Sequence, residues 1–113
     1  MNININTIPD PVFIFDNTGM LIDTNEAFFQ LIGFSIESNE SPSLNDFAPQ
    51  LYQEINKDIF VKSIYADKHL SYNTTINNKV GNEIIVKLSL SRITLRDESL
   101  FFSISTSMGI TPF

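Results

Sequence analysis

His69 is the only imidazole in the chain, and the sequence contains no cysteine. A serine nucleophile would therefore have one candidate base, while thiol nucleophiles, cysteine zinc sites and disulfide frameworks are excluded outright. His69 follows a stretch of helical periodicity that runs from Leu51 to about Ala66, so it reads as an exposed imidazole near a helix C-terminus, complementing the macrodipole. Asp10, Asp16 and Asp23 flank a turn-rich segment, but no spacing among them supports acid/base chemistry or a cation-binding loop. Aspartates beside turns, and Asn25 ahead of a helical run, serve better as acceptors for local backbone N–H groups. Gly19, Gly33, Gly81 and Gly109 stand singly, without the glycine-rich spacing that cradles a phosphate. No nucleophile, base and orienting acid come together in this pattern, so catalysis within this chain is not expected.

The elements that position these residues must belong to one domain, because 113 residues with 42% hydrophobic content can bury one core but not two. Seven Lys and Arg against thirteen Asp and Glu give a net charge of −6. That sign opposes the neutralisation of phosphates or anionic headgroups, so neither nucleic acid nor direct membrane contact is expected. No apolar run approaches the ~20 residues of a membrane span, and the Asn-rich start lacks the basic and apolar regions of a secretion signal. A cytoplasmic protein is the expectation.

Residues 1–8 alternate Asn and Ile before Pro9 and Pro11 and predict an extended arm. Val12 to Asp16 and Met20 to Thr24 are β-branched and aromatic runs, joined by Asn17, Thr18 and Gly19 in a hairpin turn with positive φ at the glycine. Asn25 caps a short helix from Glu26 to Ile32, which Gly33 ends in the left-handed region. Residues 35–43 read as a polar loop, and Leu44 to Pro49 as one helical turn capped by Ser43 and stopped near Ala48 by the following proline. The longest helix, from Leu51, places Leu51, Tyr52, Ile55, Ile59, Phe60, Ser63 and Ile64 on one face. Leu70 to Asn77, Glu83 to Leu95 and Ser99 to Met108 form three strands of an antiparallel meander, turning at Val80 to Asn82 and at Arg96 to Glu98. Ile84, Val86, Leu88 and Leu90 alternate with Ile85, Lys87, Ser89 and Ser91, so the sheet is expected to be covered on one side only. The class is α+β, with helices packed on one face of an antiparallel sheet.

This order of elements, together with two segments, resembles the PAS family of sensory domains. From Ile8 to Ser35 the chain reads IPDPVFIFDNTGMLIDTNEAFFQLIGFS, and Asp16, Gly19, Asn25, Ala27, Phe28 and Gly33 stand where the family's opening signature places them. From Val80 to Ile93, VGNEIIVKLSLSRI is similar to its glycine turn and long strand. Near the end, Gly109, Ile110 and Thr111 stand where the family often has an Asp-Ile-Thr exit motif, with glycine in place of the aspartate. The resemblance spans residues 6 to 111 and implies a five-stranded antiparallel sheet in order 2-1-5-4-3, helices over its concave face, and a small-molecule pocket between them. It divides the chain into an arm (1–8), a PAS domain (9–108) and an exit segment (109–113) leading toward an effector domain of the same polypeptide.

Polar residues that could reach such a pocket are Tyr52, Asn56, Ser63, Tyr65, Tyr72, Thr74 and Thr106, and apolar ones are Ile55, Ile59, Phe60, Val86, Leu88, Leu90, Phe102 and Ile104. Local backbone hydrogen bonding accounts for the first group as well as a ligand does, and plain core packing is the preferred reading of the second. The family's adduct-forming flavin photochemistry needs a cysteine and is excluded; His69 is not read as an axial haem ligand; noncovalent binding of a small molecule stays open. Ten Phe and sixteen Ile exceed what one side of such a sheet can hide. Ile3, Ile5 and Ile8 of the arm, with Ile85, Phe101 and one of Phe13 or Phe15, are therefore candidates for a homodimer interface, the alternative being an arm folded over its own sheet. The functional expectation is the signal-input domain of a bacterial or archaeal histidine kinase or cyclic-dinucleotide enzyme. Its alternative is an interaction module without a physiological ligand.

Overall fold

All four residues from Val12 to Phe15 are buried, although successive side chains of a strand point to opposite faces. The first strand is therefore packed on both sides, and the rest of the architecture follows from this. The computed structural model describes residues 4–33, 43–55, 70–95 and 98–110. Strands β1 (Val12–Asp16) and β2 (Leu21–Thr24) precede helices α1 (Glu26–Ile32), α2 (Leu44–Phe47) and α3 (Pro49–Ile55); β3 (Leu70–Asn77), β4 (Glu83–Leu95) and β5 (Glu98–Ile110) complete the fold. The five strands form one antiparallel sheet in the order β2-β1-β5-β4-β3, so the last strand lies in the middle and joins the hairpin to the meander.

The local signals act where the sequence places them. Gly19 has φ +88° in the β1–β2 turn, and Gly33 has φ +87° as the left-handed end of α1. Ser43 and Asp46 form a reciprocal capping box on α2, and Ala48, held off helical geometry before Pro49, ends it. The long helix expected from Leu51 begins two residues earlier, at Pro49, and is described as far as Ile55. Other boundaries differ too, with β2 starting at Leu21 and β5 at Glu98. The arm contains a 3-10 turn at Ile5–Thr7, capped by Asn4, rather than running extended, and β5 continues through Gly109 and Ile110, which pair with Ile85 and Ile84.

The main core lies on the inner face of the sheet. Phe13 and Phe15 of β1, Phe28 of α1, Phe47 of α2 and Phe101 of β5 form a chain of aromatic contacts with centroids 5.2–5.9 Å apart, which seats α1 and α2 on β1. A second cluster lies on the outer face, where Ile5 is buried with Val12, Ile14 and Leu100, and Ile8, Ile93, Phe102 and Ile104 pack against it. The arm thus folds over its own sheet, and the outer face of β1 and β5 is not left bare as the one-sided reading expected.

Asn25 joins these layers. It is 2% exposed, and its Oδ1 accepts from the N–H of Val12 and of Phe28, both at 2.9 Å. Its Nδ2 faces the carbonyls of Ile5, Ile8 and Asp10 at 3.1, 3.2 and 2.9 Å. One side chain therefore ties the arm to the first strand and to the start of α1, and Asn6 adds a bond from the Glu26 N–H at 2.8 Å. Removing it leaves several buried backbone groups unpaired, each at a cost of about 1–3 kcal/mol. Asn25→Ala is expected to lower unfolding stability by roughly 3 kcal/mol in a urea titration. Asn25→Asp, which sets a carboxylate against three carbonyl oxygens, should fare no better at neutral pH; a loss below about 1 kcal/mol in either variant would contradict this role.

Candidate functional site

The candidate site is the middle of the inner face, where β5 passes beneath the helices. Strand register fixes its floor. Phe13, Ser103, Leu90 and Leu70 form one transverse row; Ser105, Leu88 and Tyr72 form the next; Val86 and Thr74 lie in the row beyond. Leu88 and Leu90 are fully buried, and so are Ser103 and Ser105. The wall comes from α3, which contributes Leu51, Tyr52 and Ile55 to the core and sends the Gln50 amide oxygen to accept from the Thr74 hydroxyl at 3.0 Å. The β1–β2 turn closes one end of the wall: a Cβ on Gly19 would stand 2.8 Å from Cε1 of Tyr52, so only glycine permits this approach without moving the ring.

The Oγ atoms of Ser103 and Ser105 have no hydrogen-bond partner among the described residues. The backbone N–H of Ser105 is satisfied by the Pro11 carbonyl at 2.8 Å, so the deficit belongs to the side chain. Elsewhere in the described core, buried polar side chains are spoken for, Asn25 by five bonds and Thr74 by Gln50.

Of the residues singled out in the sequence, Tyr52, Ile55, Tyr72, Thr74, Val86, Leu88 and Leu90 lie together in this inner layer. Phe102, Ile104 and Thr106 do not. They occupy the outer face of β5, the first two against the arm cluster and Thr106 exposed, because the register with Phe13 and Leu90 turns Ser103 and Ser105 inward. Asn56, Ile59, Phe60, Ser63, Tyr65 and His69 lie outside the described residues. Among the interface candidates, Phe101 is 1% exposed and stacks on Phe15 in the main core, and Phe13 is likewise internal, so none of the three can serve as outer contact surface. Ile5 is covered within its own chain, Ile8 packs beside it, Ile85 stays 39% exposed on the outer face, and Ile3 is outside the described residues. The sequence reading missed Ser103, Ser105 and Gln50.

The sequence profile of the PAS domain matches residues 4–64, more than half of the chain. The chain belongs to the PAS domain family. Its fold is shared with the PAS domain of an HTR-like protein from Haloarcula marismortui, at 19% identity and a TM-score of 0.72, over 91% of this chain and 84% of that one. It is shared equally with a PAS domain from a two-component sensor histidine kinase, at 16% identity and a TM-score of 0.74, over 91% and 88% of the two chains. The PAS domain of nitrogen regulation protein NR(II) from Vibrio parahaemolyticus superposes at 14% identity and a TM-score of 0.67, over 92% and 94%. No curated protein matches the sequence. Among the described residues of this PAS domain, no helix is long and apolar enough to cross a membrane, and no group of three or more His, Asp or Glu side chains is placed to hold a metal ion.

The turn that meets Tyr52 is held by Asp16. Burial raises the pKa of its carboxyl, but the Thr18 hydroxyl at 2.6 Å and the backbone N–H groups of Met20, Thr18 and Gly19 favour the charged form and leave it below the ordinary 3.8. A carboxyl with a depressed folded-state pKa stabilises the fold above its unfolded value and loses that contribution as pH falls through the folded one. The Asp16-dependent part of the stability is thus complete at neutral pH and disappears in the acid range below about 4. Urea titrations between pH 7 and pH 3 should show Asp16→Asn less stable than the parent at pH 7, with the difference shrinking on acidification. A difference that stays constant with pH would refute the assignment.

Proposed function

We propose that this PAS domain is the sensory input module of a prokaryotic signalling protein of the histidine kinase or cyclic-dinucleotide enzyme type, and that it binds a small molecule on the inner face of its sheet. The observation that carries the reading is the pair of buried, unpartnered hydroxyls on the central strand, in a layer packed mainly with apolar side chains. Native structures leave few buried polar groups unpaired, and those that remain call for a partner. Support for a signalling context comes from relatives of the same fold in a sensor histidine kinase and a nitrogen regulation protein. The relay is a population shift: a ligand that binds one arrangement of the helices over the sheet more tightly than another biases both the layer and the outgoing end of β5. That end leads to an effector domain in the same polypeptide. The protein works in the cytoplasm, and catalysis lies in the effector.

A second reading is favoured by the outer face. Ile85 is 39% exposed, and Ile8, Ile93, Phe102 and Ile104 are only partly covered, so a homodimer could bury this strip. Native mass spectrometry of freshly purified protein, beside a denatured control and an absorption spectrum of the same sample, separates the two. A noncovalent mass excess is expected. A bare dimer whose inner face takes up no added small molecule would replace the sensor reading with an interaction module.

A further inference from the structure

β5 threads the centre of the sheet, and two consecutive inward positions on it are serines with 0% exposure. Side chains two apart on one strand face stand roughly 7 Å from each other, close enough for one small molecule to span. A strand serine has no carbonyl one helical turn behind it to bond, and neither Oγ finds another partner among the described residues. Alanine would fit these positions without an unmade hydrogen bond, and the packing offers no structural use for the two oxygens. Their surroundings define the complement. Phe13, Leu88 and Leu90 flank them in the strand register. The buried polar residues among those described are Asn25, Thr74, Ser103 and Ser105, and none of these carries a charge.

We infer that Ser103 and Ser105 are the polar contacts of a neutral ligand, whose apolar body lies against Phe13, Leu88 and Leu90 and whose hydrogen-bonding group meets the serine pair. The inference rests on the proposed small-molecule site and narrows it to a ligand class. An ion lodged here would give up its hydration without a countercharge from the described inner face. Because a serine hydroxyl both donates and accepts, the ligand's polar group can be a hydroxyl, a carbonyl or a ring nitrogen. Both oxygens are covered in this arrangement, so a ligand that reaches them must shift the layer above. That requirement gives it the differential affinity a relay needs.

The test uses purified protein, refolded from denaturant to remove any carried cargo, and the Ser103→Ala, Ser105→Ala double variant. Toluene, benzyl alcohol and benzoate serve as probes of similar size, neutral and apolar, neutral and hydrogen-bonding, and anionic. Without probes, the double variant should melt at a higher temperature, since two unmet hydroxyls have been removed. In NMR titrations benzyl alcohol should lose about tenfold in affinity for the variant, while toluene loses none and benzoate binds neither protein. A lower melting temperature for the variant would show that the hydroxyls are already satisfied and would overturn the inference. Equal losses for toluene and benzyl alcohol, or tightest binding by benzoate, would overturn the ligand class while leaving the small-molecule site standing. If no probe perturbs any inner-face resonance, both fall together.

Discussion

The constraint on which the structure depends is the burial of one amide side chain. Asn25 must satisfy an acceptor and an NH2 group away from water, and it does so only if the arm carbonyls, the Val12 N–H and the first turn of α1 converge on it. A buried polar group that is fully satisfied specifies geometry more sharply than apolar contacts, which tolerate sliding. The convergence fixes the arm on the outer face of the sheet and α1 on the inner face at the same time. The aromatic chain from Phe13 through Phe28 and Phe47 then has a defined origin, and α2 and α3 follow from it.

Much of this fold was legible in the sequence because its signals are local. Turn glycines, the Asn25 and Ser43 caps, the proline after Ala48 and the period-two pattern of β4 act over a few residues, and the structure places each where its chemistry requires. The reading failed on the phase of β1 and β5. Alternation reveals which residues share a face, but apolarity marks the inward one only when the other face meets water. Here the arm covers the outer face with Ile5 and Ile8, so Val12, Ile14 and Leu100 are buried as well as Phe13, Phe15 and Phe101. The pattern FSISTS on β5 then suggests that Phe102 and Ile104 point inward, when register with Phe13 and Leu90 points Ser103 and Ser105 there.

That inversion matters for function. Full polar satisfaction and unmet polar groups are separated here by position in the sheet. The outer cluster and Asn25 brace the hairpin and the arm, whereas the inner middle of the sheet combines apolar packing with two unmet hydroxyls and a single Thr74 to Gln50 bond to α3. Nothing in the sequence alone could separate these serines from solvent-facing ones, because their distinction is a tertiary fact. Gln50, exposed at its backbone position and yet reaching Thr74, is equally a product of the fold.

The most direct test of this account is amide hydrogen exchange on the unmodified protein. The N–H groups of Val12 and Phe28 both donate to Oδ1 of Asn25, although one belongs to a strand and the other to a helix only seven residues long. If Asn25 joins the layers, these two amides exchange only with global unfolding, at the rates of the slowest amides of β4 and β5. Exchange of either one at the rate of an unprotected amide would show that the junction opens locally and would contradict the account.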